Sequence, residues 1–453
     1  MFRAIPRHNV NLTSTELHLV LNAAMGRGNH DGGRLRFQSD CCQYFGTSHA
    51  IAVESGRTSL HLALHGLDLA PGSVVVLPRY CFFSLVHVVE GMGLVPRFAP
   101  INPLTYGMDP AQLEAYIHGA AAVVFIHPFG QIADVIGLQT ICSSRGIPLI
   151  EDASQATGAK WGVHRAGAIG DIGVFSMVSG KNLQTFGGGL VITSRDDVAR
   201  RIQERMERSK NQDKKHTQTA FQSGLQRWFL TTPLGFKSVM HPLTLGLQTI
   251  APAKLDAMFH EEHLPYDPHR ELFFLSDTQG ALGSLELVEL DRRNAVRRNH
   301  ALRMLDGLRG LHQLGLPHFD ETAENSFNAV AVKTTQARCL AHRLRQQGFD
   351  TRTDYMEWYG DETDFDEDVI YLPNHPGMST GDIDQLVTAV ATEMDSSKRI
   401  ATLQRIEKLL HDDAAFVPLH WQDLAWAARK GVGISPIVNV MNFPYLGDLI
   451  INK

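Results

Sequence analysis

The chain has 453 residues, is 43% hydrophobic and 20% charged, and carries a formal net charge of −6. That is enough chain for two domains with real cores, and the composition is that of an ordinary globular protein, which excludes fibrous and disordered classes. No basic block argues for nucleic acid as a partner, and no run of about eighteen apolar residues exists to span a bilayer.

Residues 1–28 read as an N-terminal segment and a helix, with Ser14 as N-cap ahead of Glu16 and Leu17. Asn29 to Gln43 is rich in Gly and Asp and reads as loop. Ala50 to Val53 is a short apolar strand. It is followed by Glu54-Ser55-Gly56-Arg57-Thr58 and a helical pattern at Leu60, Leu62, Leu64 and Leu67. A strand, a glycine turn and a helix start offer free N–H groups and a positive dipole end to an anion, although a plainly capped helix has the same pattern. Val74 to Leu77 is the next buried strand, ending in an aromatic cluster of Tyr80, Phe82 and Phe83. Leu94 to Phe98 and Ala121 to Ile126 are further apolar runs separated by helical stretches. Such alternation predicts an α/β fold, a parallel sheet with helices on both faces.

The densest signal lies between Leu149 and Ile192. An apolar run, Ile147 to Ile150, is followed by Asp152. A carboxylate at the end of a buried strand is costly unless something positive meets it. A second run, Ile172 to Phe175, ends in Ser176, Lys181 comes five residues later, and Gly187-Gly188-Gly189 opens a third run. Pyridoxal phosphate uses such a set. It needs a lysine amine for a Schiff base, an acid facing the pyridine nitrogen, and hydroxyls with backbone N–H groups for its phosphate. Lys181, Asp152 and Ser176 fit those three roles. Lys181 alone would read as a surface lysine in a Gly-rich loop.

In order and spacing, Glu151-Asp152-Ala153-Ser154-Gln155-Ala156, Gly170 to Ser176, Lys181 and Gly188-Gly189 resemble the DegT/DnrJ/EryC1/StrS family of pyridoxal-phosphate sugar aminotransferases. The resemblance covers roughly 29–394. It implies the fold-type-I transferase architecture: a large domain, 29–250, with a mixed, mostly parallel sheet between helices, and a smaller C-terminal α/β domain, 251–395. It also implies that Gly56, Arg57 and Thr58 join Ser176 at the phosphate. Phe82 stacks on the pyridine ring, with Phe83 and Tyr80 as rivals, and Gln155 lies on the ring's hydroxyl side. His127, in His127-Pro128-Phe129-Gly130-Gln131, is given a loop or packing role because Lys181 already serves as base. The implied reaction moves an amino group from an amino acid, glutamate above all, to a nucleotide-linked keto-sugar in a homodimer. A dehydratase of the same fold, an aminotransferase for a more apolar acceptor, and a catalytically idle regulator are the alternatives. The dehydratases replace the lysine with histidine, so Lys181 speaks against the first.

The chain also departs from the family. Leu272-Phe273-Phe274 stands where the family has Asn-Tyr-Arg, whose asparagine reaches the partner subunit's phosphate, and Phe186-Gly187 stands where a glutamate often precedes the double glycine. Arg200 to His216 reads as a helix end and a solvated loop. Phe221 to Ile250, apolar and broken by Pro233 and Pro242, reads as a helix pair, a lid or a membrane-surface segment, and packing is favoured over membrane contact. Asp277 to Asn299 reads as a long helix, and Ala329 to Lys333 and Gly348 to Arg352 as strands. Residues 396–453 exceed what the family needs and look like the last segment of peptide-binding proteins of ABC transporters. An amphipathic stretch, Ile400 to Leu410, and the apolar Phe416 to Trp426 are expected to pack as a helix and a strap. Five cysteines without metal-type spacing, and an N-terminus lacking an apolar signal core, fit a cytoplasmic protein with reduced thiols and no metal.

Overall fold

A computed structural model describes residues 4–394 except Asn29, Ala133, 212–213, 252–264, Glu321, Asp354 and 361–367. Beyond Met394 it describes only the short strands at 416–418, 426–428, 432–433 and 450–451. Residues 1–390 form one compact unit and 391–453 another. The expected tail helix and most of the apolar strap lie outside the described residues.

Strands His49–Val53 (β1), Val74–Pro78 (β2), Val95–Ala99 (β3), Ala120–Ile126 (β4), Leu149–Asp152 (β5), Ile172–Ser176 (β6) and Gly189–Thr193 (β7) lie in the order β1-β7-β6-β5-β4-β2-β3. Of these seven, only β7 runs antiparallel to its neighbours, β1 and β6. Lys210–Asn211 (β8) and Phe273–Phe274 (β9) extend the β1 edge to nine strands. Alternate side chains of each strand feed two cores, as the period of two requires. Ala52, Phe125, Phe175 and Leu190 serve one, and Val53, Val124, Val174 and Val191 the other. This is the mixed, mostly parallel α/β sheet expected. The C-terminal ends of β1, β2, β5 and β6 share one edge, the usual location of ligands in open α/β sheets.

The N-terminal helix, Ser14–Ala24, is capped by Thr13 rather than Ser14. Thr13 and Glu16 form a reciprocal capping box, and the threonine sits three residues before the glutamate as that motif demands. The expected loop at Asn29 to Gln43 is helix from Gly33 to Phe45. Phe37, Cys41 and Phe45, four residues apart, form its buried face. Its glycine serves close packing: a side chain on Gly33 would strike the Asp277 carbonyl, and one on Gly280 the Arg34 backbone. The partner is a 32-residue helix, Asp277–Leu308, started by a second capping box, Ser276 with Gln279. Arg293 of the long helix bridges Glu16 at 2.6 Å and Glu286 at 2.8 Å. Burial pushes the Glu286 carboxyl up to about 8. The loop expected through His216 is helical from Lys214. In the smaller C-terminal part, Val330–Thr334 pairs antiparallel with Asp368–Leu372; the expected strand at Gly348 to Arg352 makes only isolated bridges, Phe349 with Ile5 and Arg352 with Tyr371. Among the described residues no helix is long and apolar enough to cross a membrane.

Candidate active site

The helix Gly56–Gly66 begins at the sheet edge where β6 ends. Ser55 is its N-cap, and the serine hydroxyl accepts the Thr58 N–H at 3.2 Å. A Cβ on Gly56 would lie 2.7 Å from the Ser176 Cβ and 3.2 Å from its hydroxyl oxygen. Only glycine lets the helix start come this close to Ser176. The Thr58 side chain is fully buried, and its hydroxyl donates to Glu54 at 2.6 Å, so it faces the foot of the helix. Arg57 is exposed.

Asp152, half-buried, ends β5. Its Oδ1 accepts the Ser154 N–H at 2.9 Å, and its carbonyl accepts the His127 N–H at 3.1 Å. Glu151, one residue earlier, points to the opposite face. It pairs with His127 Nε2 at 2.8 Å and accepts the N–H groups of Gly167, Ile169 and Gly170. Both partners are fully buried, so the imidazole braces that loop from within the core. Gln155 is buried; its Oε1 accepts the Phe129 N–H at 3.0 Å, and its amide nitrogen lies 3.9 Å from the Met356 sulfur.

Lys181 Nζ donates to the Tyr355 hydroxyl at 3.0 Å. The Tyr355 ring lies nearly parallel to Phe82, 5.4 Å between centroids and 25° between planes, and the Arg352 guanidinium is 5.2 Å from the same ring. Of the rival aromatics, Tyr80 is committed elsewhere, its hydroxyl 2.7 Å from that of Tyr371. Phe83 is buried beside Phe82. The lysine loop is held by a ladder of amides. Asn182 Nδ2 donates to Asn294 Oδ1 at 2.8 Å, and Asn328 Nδ2 donates to Asn182 Oδ1 at 2.8 Å and to the Gly180 carbonyl at 3.0 Å. His8 packs on Gly180, and burial, then the Arg7 charge, push its imidazole down to about 4. Sequence reasoning missed Tyr355 and the amides. Tyr355 is separated from Lys181 by 174 residues, and nothing local marks it.

The two departures from the family pattern have structural uses. Phe273 and Phe274 form β9; Glu54 accepts the Phe273 N–H at 3.1 Å, and the Arg34 guanidinium lies 4.1 Å from the Phe274 ring centroid. Phe186, held at φ 59°, packs edge-on to Phe221, 5.8 Å between centroids. It thereby ties the lysine loop to the helix Lys214–Thr231. A positive φ at a bulky aromatic is a strained position that tertiary packing must enforce.

The model of the DegT/DnrJ/EryC1/StrS aminotransferase family matches residues 15–261 and 272–391. The chain belongs to this family. Its members are pyridoxal-phosphate-dependent transaminases. The chain is 28% identical over 361 residues to the dTDP-3-amino-3,4,6-trideoxy-alpha-D-glucose transaminase of Streptomyces venezuelae, a match spanning 78% of this chain and 82% of that one. It is 37% identical over 169 residues to an L-glutamine:2-deoxy-scyllo-inosose aminotransferase of Streptoalloteichus tenebrarius. That match spans 37% of this chain and less than half, 40%, of the relative. The aminotransferase TlmJ from Streptoalloteichus hindustanus shares the fold, with a TM-score of 0.65 at 22% identity over 85% of this chain and 98% of that one.

Proposed function

We propose that this protein transfers an amino group from an amino acid to a nucleotide-linked keto-sugar, with pyridoxal phosphate as its cofactor. The observation that supports this most is the set at one sheet edge: Lys181 hydrogen-bonded to Tyr355 over Phe82, the Asp152 carboxylate ending β5, and a helix start pressed on Ser176. When bound, the cofactor supplies an aldehyde carbon to take the amino group and a ring to absorb the electron pair left by a broken C–H bond.

The residues suit that group. Because Gly56 has no side chain, the helix start approaches Ser176 closely enough for its free N–H groups and the Ser176 hydroxyl to serve one phosphate. Gly56 and Arg57 contribute backbone N–H groups there, and Thr58 contributes by holding Glu54 and the Ser55 cap in place. Asp152 keeps a proton on the ring nitrogen, Phe82 offers an aromatic face, and Gln155 borders the ring's hydroxyl side. Lys181 Nζ would hold the cofactor and, once free, would move a proton between the substrate carbon and the cofactor. Tyr355 keeps that amine oriented through its hydroxyl. Donor and acceptor react in turn, so the kinetics are ping-pong. Glutamate is the expected donor, the cytoplasm the expected compartment, and a homodimer the expected assembly, although Phe273 and Phe274 leave no asparagine for the partner's phosphate.

A second reading has its own support. The relative from Streptoalloteichus tenebrarius is named for a keto-cyclitol acceptor and for glutamine as donor. A panel of nucleotide-linked keto-sugars and 2-deoxy-scyllo-inosose, each offered with glutamate and with glutamine, separates the two. Amination of a nucleotide sugar supports the first reading. Amination of the free cyclitol alone refutes it in favour of the second.

A further inference from the structure

The helices of residues 214–250 have one packed face and one open face. On the packed side Phe221 is buried, Leu225 and Trp228 lie against the cluster of Val10, Val20 and Leu282, and His241 Nε2 donates to the Arg345 carbonyl at 2.9 Å. On the open side Phe229 is 48% exposed, Leu234 70%, Val239 45%, Leu243 46% and Ile250 85%. Several large apolar side chains exposed along one segment mark an interaction surface.

Charge identifies the kind of partner. From Lys214 to Ala251 the sequence contains Lys214, Lys215, Arg227 and Lys237 and not one Asp or Glu, in a chain of net charge −6. Arg227 and Lys237 are exposed among the open apolar residues. The helix packed alongside, Ala337–Gln346, adds Arg338, Arg343 and Arg345, again without an acid. Arg338 is paired with Asp368 at 3.9 Å, so the basic character rests on Lys214, Lys215, Arg227 and Lys237; an apolar surface with a basic excess is complementary to one that offers an apolar layer beneath fixed negative charge.

We propose that the face carrying Phe229, Leu234, Val239 and Leu243 docks in the plane of an anionic lipid bilayer. The sequence alone favours packing for this stretch, and packing accounts for one face; the other is what an interfacial helix presents. None of these helices is long and apolar enough to cross a membrane. Because Phe221 of the same group of helices holds Phe186, docking would set the lysine loop close to the lipid surface. The inference does not rest on the amino-transfer reading.

Co-sedimentation of the full chain with vesicles tests it. Pelleting is expected with phosphatidylcholine vesicles containing phosphatidylglycerol, weakly with phosphatidylcholine alone, and less as salt rises. Lys237→Gln should weaken binding about fivefold, the effect of one cation near a charged surface. Leu234→Glu should abolish binding while the circular dichroism spectrum and sedimentation coefficient stay unchanged. The proposal is overturned by a wild-type chain that stays in the supernatant, by equal pelleting with both vesicle types, or by a Leu234→Glu variant that still pellets. A Leu234→Glu variant that splits an oligomer also overturns it, since a second copy would then cover the face.

Discussion

Replacing Gly56 with alanine tests the phosphate cradle on geometry alone. The new Cβ would stand 2.7 Å from the Ser176 Cβ, against the roughly 3.5–4.0 Å of an ordinary carbon contact, so the helix start and the end of β6 must part by about 1 Å. Ser176 Cβ is fixed by the strand and cannot swing aside. Overpacking of this kind costs about 1–3 kcal/mol and should lower Tm by several degrees. The larger effect is on cofactor affinity. A displacement of that size spoils one or two charge-assisted N–H and O–H bonds, each about 1.5–3 kcal/mol, so affinity should fall roughly 10- to 10,000-fold. Cofactor titration by absorbance, run beside thermal melts, reads both numbers. Adding Ser176→Gly to Gly56→Ala removes the atoms that clash; melting temperature should recover, while affinity stays low because the hydroxyl is gone. If Gly56→Ala binds cofactor like the wild type, the phosphate does not sit at this helix start.

Three further outcomes are expected. Asp152→Asn keeps the volume but loses the charge beside the ring nitrogen; activity should drop by orders of magnitude with cofactor still bound, and near-wild-type turnover would contradict the role. Tyr355→Phe keeps the ring on Phe82 and removes the 3.0 Å bond to Lys181 Nζ. Turnover should fall about 3- to 10-fold, with a shifted spectroscopic pH titration of the Lys181-bound cofactor, and an unshifted titration would contradict it. Burial pushes His375 from 6.5 down to about 3 in the fold, where its Nε2 donates to the Pro6 carbonyl. Its contribution to stability is therefore fully present above pH 6.5 and is lost as pH falls toward 3, by up to about 1.4 kcal/mol per pH unit. Denaturant midpoints at pH 7 and pH 5 should differ less in His375→Asn than in the wild type, and an equal difference would refute the assignment.

The strands were legible because a buried parallel sheet leaves near-continuous apolar runs, and β1, β2, β4, β6 and β7 fall within a residue or so of those runs. The sheet-edge residues Asp152, Ser176 and Lys181 could be picked out for the same reason: each stands at, or a few residues past, the end of such a run. The misreadings have physical causes. Gly32 does turn the chain, at φ 76°, but Gly33 admits a neighbouring helix, and Phe37, Cys41 and Phe45 at i, i+4 and i+8 are the stronger signal. Ser14 lost to Thr13 because a capping box is defined by its spacing to Glu16. The sequence of Gly348 to Arg352 fits a strand, but Asp368–Leu372 takes the pairing with Val330–Thr334. Tyr355, Asn294 and Asn328 reach the lysine loop from more than a hundred residues away, and polar side chains of that kind carry no periodicity by which a sequence could announce them.

Lys181 is the residue proposed to carry the cofactor. Reducing the cofactor-loaded protein with borohydride, digesting it and sequencing the labelled peptide by mass spectrometry tests this directly. The label is expected on Lys181, in the peptide that also contains Asn182, and the Lys181→Ala variant should fold, take no label and lose turnover. A label on Lys160 or any other lysine, or substantial turnover by Lys181→Ala without added amines, would contradict the account.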